Sequence, residues 1–187
     1  MLWVTRSRIH LDRVASPWLV DRFVDAEAEF GFVDEGQEVP EDAIPMTLPG
    51  AELSIRDENG STFRKILRKY EIADQVLWKM ADCVEAGMAF SLHEELPDFS
   101  EDLIRHAKAM ADFSEGMAVL YADDHVNIRH SFPFYDALYI NIWADHGDSG
   151  RTFAEHPRKR IDELQEARDW PAFFANATKR SADSSPA

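Results

Sequence analysis

The chain has 187 residues, 45% of them hydrophobic, with 20 Lys and Arg against 35 Asp and Glu. That length allows one domain, or a domain with an appendage, and the apolar share excludes an intrinsically disordered chain. A net charge of −15 speaks against nucleic-acid binding by this chain on its own and against docking on anionic lipid, since both need a basic surface.

In chain order, Leu2, Trp3 and Val4 read as a strand, followed by polar alternation through Arg8, His10 and Asp12. Ser16 and Pro17 predict a helix start, with Ser as the cap and Pro in the first turn, and Trp18, Leu19, Phe23 and Val24 form its apolar stripe. Glu29 to Val33 is a second strand, an acidic loop crosses Asp34 to Asp42, and Ile44 to Leu48 is extended. After a turn at Pro49 and Gly50, Ala51, Leu53 and Ile55 alternate with polar residues as in a half-buried strand. From Ser61 the period becomes helical. Leu77, Met80, Ala81 and Val84 follow an Asp74 cap. Asp98 and Glu101 resemble a capping box ahead of Leu103, Ile104, Ala107, Met110 and Ala111. Residues 115–121 suggest a further short helix, Phe132 to Trp143 a strongly apolar one, and Ile161 to Trp170 an amphipathic one.

The expectation is an α+β fold, a small mixed sheet from the first third packed by a predominantly helical remainder. Residues 1–150 form the main domain, 151–178 a helical extension and 179–187 a disordered tail. Trp170, Phe173 and Phe174 offer an apolar group for core packing or for a homodimer. The start of the chain lacks the apolar core of a signal peptide and no apolar run is long enough to span a bilayer, so a cytoplasmic location is expected. The single cysteine, Cys83, permits no internal disulfide or Cys-ligated cluster and reads as a small buried hydrophobe.

Some residues look out of place in a purely structural chain. Asp136 lies in a helix that is apolar nearly all round, and a buried carboxylate needs a partner. A buried Asp–Arg bridge or a helix cap would serve, and so would a metal ion. Asp123, Asp124, His125 and His130 gather two carboxylates and two imidazoles just upstream, at a spacing that does not place both histidines on one helical face. Arg8, His10 and Asp12 project to one side of an extended segment, with Arg13 next to them. Glu52, Ser54 and Arg56 share the face opposite Leu53 and Ile55. Phosphate-binding loops, nucleophile elbows and HExxH motifs are absent. His, Asp and Glu without cysteine suit a divalent cation such as Mn²⁺, Zn²⁺ or Fe²⁺.

A family resemblance accompanies these residues. Trp3 to Arg6, His10 to Leu19, Arg22 and Phe23, then Ile44 and Pro45, Pro49 to Ser54, Asp123 to His125 and Tyr135 to Tyr139 together resemble the ChrB C-terminal domain family of chromate-resistance proteins. The resemblance covers roughly residues 3–145. It implies a link to chromate resistance. Full-length members are similar to chromate-responsive regulators with an additional N-terminal region, so a chain opening on this domain is expected not to act as a stand-alone repressor. Relatives commonly follow the Glu-Leu-Ser segment with His-Arg and then a Cys, where this chain has Ile55, Arg56 and no cysteine. The positions retained are His10, Asp12, Arg13, Arg22, Glu52, His125 and Asp136.

Beside a partner-binding accessory whose buried polar residues only specify the fold, two functions follow as expectations. In the first, a divalent metal held by His10, Glu52, His125 and Asp136 supports lyase or hydrolase-type chemistry on an anionic or oxygenated small molecule. Arg13, Arg22 and Arg56 then hold the anionic group, and Asp12 and Tyr135 move protons. In the second, the domain senses an oxyanion or a metal without turnover, through arginines whose planar donor forks suit a tetrahedral oxyanion.

Overall fold

The first strand is buried along its middle: Trp3, Val4 and Thr5 are all nearly inaccessible, as expected of the central strand of a covered sheet. The computed structural model describes residues 1–96 and 98–144. In them β1 (Leu2–Arg6) is flanked by β2 (Glu29–Val33) and β3 (Ile44–Pro45) in the order β2-β1-β3. Both pairings are parallel, in place of the mixed sheet expected. Trp3 pairs with Phe30 and Thr5 with Phe32, so these four side chains share one face. On that face Phe30 meets Phe132 edge-on at 6.1 Å, and Phe32 meets the His125 ring at 4.8 Å.

Helix α1 (Asp12–Leu19) begins ahead of the predicted Ser16-Pro17 start and continues as a π-helical segment, Val20–Val24. Ser16 does not cap it; its hydroxyl donates to Asp12 at 2.7 Å, and Pro17 lies inside the helix. The predicted strand at Ala51–Ile55 is reduced to one bridge, Leu53 with Met46, and Ile55 is 46% exposed. Thr47 (φ 55°) and Gly50 (φ 78°) turn the chain there, and the Ser54 carbonyl accepts from the Thr62 hydroxyl at 2.7 Å instead of from a strand.

Four further helices follow: α2 (Thr62–Lys69), α3 (Gln75–Ser91), α4 (Glu101–Leu120) and α5 (Asp124–Ala144). Asp74 caps α3 as the sequence indicates, accepting from the amides of Val76 and Leu77. Ser100, not Asp98, caps α4, which absorbs the separate short helix predicted at 115–121. Helix α5 starts well before Phe132, because Asp123 accepts from the amides of His125 and Val126 at its N-terminus. Trp18 is the hub of the core: its ring lies within 6.4 Å of those of Phe23, Phe63, Tyr135 and Tyr139. Among the described residues no helix is long and apolar enough to cross a membrane. The predicted helix at 161–170, the extension at 151–178 and the tail lie outside the described residues.

Candidate functional site

In parallel α/β arrangements ligands gather beyond the carboxyl ends of the strands. Here β1 ends at Arg6 and a short loop, Ser7 to Leu11, leads into α1. Two non-glycine residues of that loop, Arg8 (φ 58°) and Leu11 (φ 46°), adopt left-handed backbone conformations, which cost about 1–3 kcal/mol each unless their surroundings hold them. They are held from a distance. The Asp124 carboxylate accepts from the amides of Arg8 at 2.7 Å and Ile9 at 3.0 Å. Asn127 donates to the Ile9 carbonyl at 3.2 Å, and the Leu11 amide donates to the Ser114 hydroxyl at 2.5 Å.

This loop delivers His10 and Arg13. Arg13 donates to the Ser7 carbonyl at 2.9 Å and contacts His10 Nδ1 at 3.0 Å. His10 Nδ1 also lies 3.3 Å from the Arg8 carbonyl. The shorter contact, from a permanent donor, assigns Nδ1 as acceptor and leaves the ring hydrogen on Nε2. Burial and then the Arg13 charge lower the His10 pKa, which keeps the ring neutral at pH 7, while the Arg8 carbonyl and Glu115 oppose them. Burial and the nearby Arg6 lower the Arg13 pKa, partly offset by Asp124 and Asp12. Arg13 is half-buried and, among the described residues, makes no ion pair. Arg6, close enough to repel it, is paired with Glu35.

The other predicted site residues are placed as follows. Asp12 is 4% exposed. Its carboxylate accepts from the amides of Thr62 (2.8 Å) and Phe63 (3.1 Å) and from Ser16, so it caps α2 from outside that helix. Burial raises its pKa against the pull of those donors. The Tyr135 hydroxyl is fully buried beside Ser114 with no well-formed hydrogen bond among the described residues, and desolvation holds its pKa well above the ordinary value. Asp12 and Tyr135 are close enough for the Asp12 charge to add to that shift. Neither is arranged to exchange a proton with solvent.

Arg22 and Asp136, predicted to hold an anion and a metal, face each other. Arg22 donates from Nε to Oδ1 at 2.9 Å and from Nη2 to Oδ2 at 3.0 Å, and Trp18 Nε1 donates to Oδ1 at 2.8 Å. Arg22 also pairs with Asp21 and stacks over Phe132 at 5.3 Å. Burial lowers the Arg22 pKa, but the hydrogen bonds and charge of Asp136, then of Asp21, carry it above the ordinary value. Arg56 pairs with Glu94, and the exposed Glu52 with Lys69. His125 is exposed, its ring against Phe32. The four expected metal ligands are thus held by separate partners. Among the described residues no three His, Cys, Asp or Glu side chains form a group able to hold a metal ion, so the expected donor set does not fit a divalent cation.

Sequence reasoning missed the residues that shape the loop: Ser114, Asp124 as a backbone clamp, and Asn127. A signal existed for the last, because Asn127 and Ser131 are one helical turn apart, both buried and hydrogen-bonded to each other at 2.9 Å. Elsewhere, Cys83 lines a cavity of about 200 Å³ with Lys79, Ser100 and His106 among its neighbours. Burial, with Asp82 adding to it, pushes the thiol pKa up to about 12, so it is not a thiolate at neutral pH.

A family model described as "ChrB, C-terminal domain" matches residues 3–142. Protein ChrB of Cupriavidus metallidurans is 39% identical over 49 residues, 26% of this chain and 15% of that protein. The chain therefore spans only a small part of that relative in the match. No solved structure matches it. With three quarters of its length inside the family model and the Trp18–Tyr135–Asp136 centre among the matched residues, this chain belongs to the ChrB C-terminal domain family.

Proposed function

We propose that this domain binds a small tetrahedral oxyanion at the carboxyl end of β1, without turnover, as the ligand-reading part of a chromate-resistance system. Of the two readings open from the sequence, this is the one that the arginine-rich end of β1 supports. The observation that carries it is Arg13: a half-buried guanidinium, beside a second arginine and a neutral histidine, with no ion pair among the described residues. A half-buried cation whose hydrogen bonds go to a carbonyl and an imidazole, with no carboxylate in direct contact, leaves charge that a bound anion can complete. Arg13 supplies charged planar donors and His10 Nε2–H a neutral one, a combination suited to an oxyanion at pH 7.

The test is calorimetric titration of the protein with chromate, and with molybdate and sulfate as redox-inert probes, beside Arg13→Ala and Arg13→Lys. The expected result is saturable binding that falls at least about tenfold in Arg13→Ala and partly in Arg13→Lys, as for loss of a charge-assisted hydrogen bond. Absence of binding by the wild type to all three anions sinks the proposal.

A further inference from the structure

An anion already stands at the end of β1: the carboxylate of Asp124. Its two oxygens accept from two consecutive backbone amides, Arg8 at 2.7 Å and Ile9 at 3.0 Å. Successive N–H groups converging from a left-handed residue form a backbone concavity of the kind that binds phosphate and other oxyanions. Arg8, at φ 58°, is that left-handed residue. Asp124 also lies close enough to Arg13 to favour its charged form. The side chain therefore places a negative group on two amides and in the field of Arg13, a half-buried guanidinium that makes no ion pair among the described residues.

We infer that the Asp124 carboxylate is an internal stand-in for the oxyanion, seated on the Arg8 and Ile9 amides until a tetrahedral dianion takes its place, with two ligand oxygens on the amides and the others directed to Arg13. This rests on the oxyanion reading above and adds the rest of the ligand shell and its regulation. A tethered carboxylate competes at a fixed effective concentration, so it sets a threshold: the measured affinity is the intrinsic affinity reduced by the fraction of time the seat is free. Because Asp124 is the first residue of α5, its release reports binding to that helix. Asn127, bonded to the Ile9 carbonyl, and the Asp123 cap do not depend on Asp124, so the helix stays docked while its first side chain changes partner.

The experiment compares molybdate binding by the full chain with that of Asp124→Asn, which keeps the size and removes the charge. It also follows the Arg8 and Ile9 amide resonances of the wild type through the same titration. The expected result is binding about tenfold or more tighter in Asp124→Asn, as when a seat free a tenth of the time becomes permanently free, with the Arg8 and Ile9 amides among the most shifted in the wild type. If wild type and variant bind equally, or the variant binds more weakly while Arg13→Ala still abolishes binding, Asp124 is a structural clamp and this inference fails alone. Wild-type binding that leaves both amides unshifted overturns it too, and that arm needs no variant to fold. If neither protein binds molybdate, chromate or sulfate, the oxyanion reading and this inference fall together.

Discussion

Helix α5 carries one carboxylate at its start and another past its middle, and the fold treats them in opposite ways. Asp136 meets a guanidinium with both oxygens and adds an indole donor, so charge, geometry and hydrogen bonds close on themselves. Asp124 meets backbone amides, and the guanidinium near it, Arg13, is left without an ion pair among the described residues. The first arrangement leaves nothing for a ligand to complete and ties α5 to the segment after α1. The second leaves a cation that a ligand can complete. Two half-buried arginines thus sit in different settings, and the difference lies in what stands opposite them.

The comparison can be broken most forcefully at Asp12, which belongs with Asp136 on the closed side. Asp12→Ala strands two buried amides and the Ser16 hydroxyl. At about 1–3 kcal/mol per orphaned group, a loss of roughly 4 kcal/mol is expected, read from the urea midpoint. Asp136→Ala comes next, at about 3 kcal/mol, because it leaves Arg22 half-buried with only Asp21 and the Phe132 ring. Anion binding by any Asp136 variant that still folds should match the wild type; if it weakens tenfold, the two ends of α5 are not separate.

Arg13→Ala sits on the open side and sharpens the contrast. It removes one hydrogen bond to a carbonyl and one to His10, and relieves repulsion with Arg6. The thermal midpoint should correspond to a change within about 1 kcal/mol while binding is lost. A loss comparable to Asp136→Ala would place Arg13 among the structural groups.

The smallest effect is the pH dependence of His10. Its folded pKa is lowered from 6.5 by burial, then by Arg13. An unfolded chain therefore takes up a proton there before the folded one does. The stability tied to neutral His10 is complete above pH 6.5 and is lost as pH falls toward the lowered folded pKa. Urea midpoints of wild type and His10→Gln, measured between about pH 5 and 7.5, should converge on the acid side. Parallel curves would mean the ring is not desolvated.

How much of this was legible in the sequence depends on the range of the interaction. Strands β1 and β2 and the Asp74 cap of α3 are written in neighbouring residues, and the structure has them there. The start of α1 was misread because Asp12, the acid that opens it, hydrogen-bonds a different helix, while Ser16 and Pro17 imitate a start. The alternation at Ala51–Ile55 failed as a strand because Thr62 and Lys65 take the Ser54 carbonyl. In the site, His10, Asp12 and Arg13 stood out as a polar run beside a buried strand. Grouping His10 with Glu52, His125 and Asp136 needed distances that no local pattern contains. Glu52, His125 and Asp136 meet Lys69, Phe32 and Arg22 instead.

The clamps on the β1–α1 loop also fix when the site can exist during synthesis. The bond from the Arg8 amide to Asp124 spans 116 positions and that from Leu11 to Ser114 spans 103. A nascent chain that has completed β1, α1 and the sheet still lacks both, and its left-handed residues at Arg8 and Leu11 have nothing to hold them. Contacts this distant close late, after the entropy of the intervening chain has been overcome. Chains truncated before α4 would therefore carry His10 and Arg13 on an unshaped loop, and oxyanion binding would mark the finished fold and not its first half.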